Sequence, residues 1–181
     1  MHEMKEKLIK AGTDILNASK TELYVSMRFL DIALNSLGYE MDLSMKTIGT
    51  DSQKIRFNPR YLIENYQNDS VLVNRAYLHM LLHCLYLHLF QEDQEDRRLW
   101  NLACDIAVEQ IISREKIPIL ETGGDAKKIR EKVFHILGDR SDSAEKICRK
   151  LKEQAFPFHL EELEEAFHFD DHTLWGICTG E

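Results

Sequence analysis

The chain has 181 residues, 44% apolar and 30% charged, a globular balance for one domain that excludes an extended disordered tract. Eight glycines and three prolines make up about 6% of it, roughly half the usual share, which points to helices rather than to a turn-rich sandwich or barrel. A net charge of −8 excludes a strongly basic, phosphate-seeking module, and four dispersed cysteines (Cys84, Cys104, Cys148, Cys178) with no C-x-x-C pair exclude a disulfide framework and a zinc ribbon.

Met4, Leu8, Ala11 and Ile15 recur at helical spacing and predict a first helix over residues 3–17. Leu23, Met27, Leu30, Leu34 and Leu37 predict a second over 21–37, with Gly38 at the C-cap position. From residue 45 the period changes to alternation. Residues 45–50 and 54–57 read as two strands of a hairpin, joined by Asp51-Ser52-Gln53. Asn58-Pro59 ends the second strand and opens a short helix, and Asn68-Asp69-Ser70 offers N-caps for a long apolar helix over 71–90. Residues 91–98 form a charged connector. Further helices are expected over 99–113, 126–137 and 143–153, with a break around Pro157, and the C-terminal part, 126–181, is expected to be helical. The glycine-rich loop at 121–125 matches no phosphate-cradling motif. The most apolar stretch, residues 76–90, holds three histidines and falls short of the ~18 residues a membrane span needs. No signal peptide opens the chain, so a cytoplasmic, reduced protein is expected, with neither membrane nor nucleic acid as partner.

The informative segment is the histidine helix. His79 and His83 stand at i and i+4, about 40° apart on one face, so two imidazoles can meet at one point. That is the spacing at which an H-E-x-x-H helix holds zinc. The glutamate position is Met80, whose thioether accepts no proton at neutral pH. His88 lies on the opposite side of a straight helix and reaches the same ion only if the helix ends near Leu87. Asp105, set among apolar residues on the next helix, is the expected third ligand; water would be the fourth. Glu109, one turn on, is the one nearby carboxylate that could replace the missing base, unless it stands behind the ligands or on the surface. His172 either folds back to the site or caps a turn with Asp171. Packed core histidines remain the bland alternative.

Residues 51–59, the histidine helix, and Leu99-Trp100-Asn101-Leu102-Ala103-Cys104-Asp105-Ile106-Ala107-Val108 together resemble a bacterial metallopeptidase-like domain found ahead of a von Willebrand factor A-like domain. Ala144-Glu145-Lys146-Ile147 and Asp170-Asp171-His172-Thr173-Leu174-Trp175 are similar to its later motifs, so the likeness spans about residues 45–178. The resemblance implies a mainly α fold with a small hairpin (α+β) and a zincin-like core. It also implies that 1–181 is one domain at the front of a longer protein. Implied partners are the A-like domain of that protein and a MoxR-type AAA+ ATPase. Family members carry glutamate, glycine and asparagine where Met80, Leu87 and Glu109 stand here.

Three readings follow. The first is a catalytically degenerate domain that binds Zn2+ weakly through His79, His83 and Asp105, or serves as an interaction module. The second is an active zinc hydrolase using another base such as Glu109. The third is a purely structural helical domain.

Overall fold

The computed structural model describes residues 2–91, 96–138 and 141–176. Part of the charged connector, together with Ile177 and Cys178, lies outside the described residues.

The chain opens with one helix, α1 (His2–Ser26), in place of the two expected. Gly12, Leu16, Ser19 and Leu23 are buried at alternating spacings of four and three, so a single stripe runs through the anticipated break. The chain leaves the helical region at Met27, makes one 3-10 turn, and forms the short α2 (Asp31–Leu34). Gly38 caps no helix. It starts β1 (Gly38–Met41), its N–H donating to Gln53 O.

The expected hairpin is present as β2 (Ile48–Thr50) and β3 (Lys54–Phe57), paired antiparallel. Asp51 Oδ1 closes the turn by accepting from Gln53 N and Lys54 N. The strand missed by alternation, β1, runs parallel to β3, so the sheet order is β1-β3-β2. Helix α3 (Pro59–Asn68) begins on an Asn58 cap with proline at its first position.

Asp69 caps α4 (Ser70–Leu85), which is buried continuously from Val73 to His83 and lies against α1, α3 and the following helix. It ends five residues earlier than expected. Tyr86 is its last cap residue, and Leu87 turns left-handed at φ 58°, ψ 28° before a 3-10 turn over His88–Phe90. Asp96 caps α5 (Arg97–Arg114), followed by α6 (Gly124–Leu137), α7 (Ala144–Lys152) and α8 (Leu160–Phe167). Beyond α8 the expected helical C-terminal region is extended, apart from one 3-10 turn over His172–Leu174.

Two apolar cores result. One gathers α1, α3, α4 and the sheet; the other gathers α5 to α8. Helix α5 serves both, with Val108 and Ile112 in the first and Leu102, Ala103 and Ile106 in the second. The fold is therefore mainly helical with a small sheet. No helix among the described residues is long and apolar enough to cross a membrane.

Candidate metal centre

The seam between the two cores is where the chemistry collects. His79 and His83 project from α4, and both are fully buried. Asp105, on α5, faces them: its Oδ1 lies 3.2 Å from His79 Nε2 and 3.2 Å from His83 Nε2. The shared point that the i, i+4 spacing suggests is thus present, with the acid of the next helix upon it.

Two more groups arrive from the extended segment after α8. Asp171 N–H donates to Ile48 O at 2.7 Å, which docks this segment along the edge of β2. Gly49 lets it pass, because a Cβ there would overlap the Asp171 carbonyl oxygen. The docking swings the neighbours of Asp171 into the seam. His172 Nε2 lies 3.1 Å from both Asp105 Oδ1 and Asp170 Oδ1, while Asp170 Oδ1 lies 3.5 Å from His79 Nε2 and 3.9 Å from His83 Nε2. Asp171 itself caps the turn, accepting from Thr173 N. Both open alternatives for this dipeptide are therefore realised, one by each residue. Asp170 was not singled out from the sequence; a buried acid next to a histidine in an Asp-Asp-His run was the available signal.

Five donor atoms, three imidazole Nε2 and two carboxylate oxygens, lie within 4.8 Å of one another. Donors bonded to one ion at about 2.0–2.2 Å sit roughly 3–3.5 Å apart, close to the spacings found here. The hydrogen-bond inventory agrees. Asp170 Oδ2 is buried without a hydrogen bond, and buried His83 Nε2 abuts Asp105 Oδ1 without forming a well-directed one, an expensive state for polar atoms that a cation would relieve. The residues present fit a divalent ion with nitrogen and oxygen ligands.

The electrostatics point the same way. Burial opposes charge on His79 and His172, but Asp105 with Glu109 around the first, and Asp105 with Asp170 around the second, raise them to about 9 and about 10. Asp105 and Asp170 are both held below the usual carboxylate range against their burial, most strongly by His172. The carboxylates thus draw positive charge toward the cluster. Burial and the charge of His79 push His83 down to about 4, and burial with His83 pushes His88 down to about 3.

Behind the donors stand the groups that aim them. His79 Nδ1–H donates to Glu109 Oε1 at 2.9 Å, leaving Nε2 for the cluster. Glu109 is fully buried, and its Oε2 accepts from Arg75 Nη2 at 2.6 Å and Nε at 2.8 Å. Of the places open to Glu109 from the sequence, the structure shows it behind the donors, bonded to His79, and not on the surface. His88 is absent from the five-donor cluster; its Nδ1 meets His83 Nδ1 at 2.9 Å. The helix does end near Leu87, whose left-handed turn brings His88 to His83. Trp175 stacks on His172 at 3.6 Å between ring centroids. Met80 is fully buried within the first core. A cleft of about 490 Å³, bordered by Asp105, Asp170 and His172 together with Arg97, Asn101 and Trp175, opens onto the cluster.

With this geometry in place, comparison with known families is informative. A family model described as "putative metallopeptidase domain" matches residues 17–152. No curated protein and no solved structure matches the chain.

Proposed function

The chain belongs to that metallopeptidase-domain family, and from this premise we propose that it is a metal-binding domain that has lost peptidase chemistry. The observation that carries the reading is the convergence of five donors on one point with His83 Nε2 and Asp170 Oδ2 otherwise unpartnered. His79, His83 and His172 would supply nitrogen, and Asp105 and Asp170 oxygen. Zinc is the ion proposed, on the zincin-like spacing of the two helical histidines. When bound, such an ion acts as a Lewis acid and lowers the pKa of a coordinated water toward ~7.

Neither of the two positions considered for the general base, 80 and 109, supplies one among the described residues. Met80 is buried among apolar side chains, and Glu109 has one oxygen bonded to His79 and the other to Arg75. Glu109 is therefore proposed as a positioning residue rather than as the base of a hydrolase. General acid–base groups contribute about 10²–10⁴-fold, so peptide cleavage is expected to be negligible. The expectation of weak binding rested on a missing orienting carboxylate; with Glu109 in that place, we propose ordinary affinity. The role proposed beyond metal binding is that of an interaction module, joined to a von Willebrand factor A-like domain and working with an AAA+ ATPase, which rests on resemblance alone.

The test is elemental analysis of protein purified without a nickel column, then reconstitution of the apoprotein with Zn2+. About one equivalent should be retained and lost on His79→Ala, with the far-UV spectrum unchanged. Retention of no metal would leave the structural reading, and robust chelator-sensitive cleavage of a peptide library would promote the hydrolase.

A further inference from the structure

On the far side of Glu109 from the donor cluster, two arginines are almost completely buried: Arg75 is 3% exposed and Arg130 4%. Both converge on the same carboxylate oxygen. Glu109 Oε2 lies 2.6 Å from Arg75 Nη2 and 3.8 Å from Arg130 Nε. The two guanidinium carbons each lie 5.3 Å from the centre of the Phe169 ring, a second shared, electron-rich partner. One formal negative charge thus faces two positive ones in a region of low exposure. Burial, followed by the proximity of Arg75, lowers the pKa of Arg130, whereas Glu109 opposes the shift.

Both arginines line a cleft of about 650 Å³, within the ~300–1,000 Å³ typical of small-molecule sites. Lys116 and Lys127 extend its lining, in which four cations stand beside the carboxylates of Glu121 and Glu131. Lys127 is neutralised by Glu121 at 2.8 Å, but Lys116 has no ion-pair partner among the described residues. Pro118 and Phe134 supply apolar wall. Arg75 donates to Glu109, Leu120 O and Ser113 Oγ, and Arg130 to Ala166 O and Thr122 Oγ1, so the N–H groups left for a ligand are chiefly those of Arg130. A chain of net charge −8 has here gathered buried cations around a cavity.

We propose that this cleft binds a small molecule through its oxyanion, a carboxylate or phosphoryl group seated against Arg75 and Arg130 with Lys116 at the rim. The fork of a guanidinium matches both groups, and two buried guanidiniums that share one carboxylate leave an excess positive charge for an anion to offset. The site shares no residue with the five donors and stands whether or not they hold an ion.

The experiment is titration calorimetry of the protein with inorganic phosphate and with succinate, at ionic strength held constant with chloride. Saturable binding of at least one is expected, weakened about tenfold by Lys116→Glu and abolished by Arg130→Gln. Preference for phosphate assigns a phosphoryl ligand, and preference for succinate a carboxylate. Lys116 is exposed, so its variant keeps the test decisive should Arg130→Gln fail to fold. His172→Ala should leave the anion affinity unchanged. No saturable binding of either anion, binding indifferent to Lys116→Glu, or binding lost on His172→Ala would each overturn the proposal.

Discussion

Leu87 holds a left-handed backbone conformation that costs a residue other than glycine about 1–2 kcal/mol. What that strain brings about is local and specific: the chain turns out of α4, and the imidazole of His88 swings behind His83, Nδ1 against Nδ1. Of these two rings, His83 belongs to the donor cluster and His88 orients it. Their substitutions should therefore differ in kind. His83→Ala should abolish metal binding, whereas His88→Ala should lower affinity by about 10–100-fold, the usual effect of losing an orienting partner. Calorimetric titration of the two variants with Zn2+ decides the matter. Equal losses would place both rings on the ion, and an unchanged affinity for His88→Ala would remove its orienting role.

At the scale of elements, the decisive contact joins β2 to the segment after α8. The hydrogen bond from Asp171 N to Ile48 O and the bare Cα of Gly49 set the depth at which Asp170 and His172 enter the seam. Gly49→Ala should push that segment outward while leaving both cores packed. The expected result is a metal affinity at least tenfold weaker, with the far-UV spectrum of the parent; equal affinity would show that the docking does not position these donors. This contact also explains what the sequence could reveal. His79 and His83 are legible because i, i+4 spacing on one helix is a local rule, and Asp105 because an acid stands out among apolar neighbours. Asp170 and the placement of His172 depend on pairing with a strand some 120 residues earlier, which leaves no periodic mark. Strand β1 was hidden for a similar reason. Its parallel partner β3 is not the next element in the chain, and its first residue, Gly38, carried an equally good helix-ending reading.

For the whole molecule, the donors come from both sides of the seam between two cores that share only limited apolar contact through α5. An ion bound there stabilises the native arrangement against the unfolded chain by mass action, about 2.7 kcal/mol at a free concentration of 100 Kd. For a domain of this length that amounts to roughly 5–10 °C in Tm. Scanning calorimetry of the zinc-loaded protein, before and after a chelator, should show a fall of this size, while a Tm indifferent to zinc would count against the centre. Span in sequence adds a consequence of another kind. Donors at residues 79 and 172 enclose 92 residues, so a shared ion pins the chain on itself across a loop whose constraint on the denatured ensemble compares with that of a long-range disulfide, about 4–5 kcal/mol in the chain-entropy picture. Because a polypeptide is made from its N-terminus, a growing chain that has reached only α8 carries His79, His83 and Asp105 but lacks Asp170 and His172. The complete donor set exists only once the segment after α8 has been made, 65 residues beyond Asp105, which ties full capture of the ion to the synthesis of that segment.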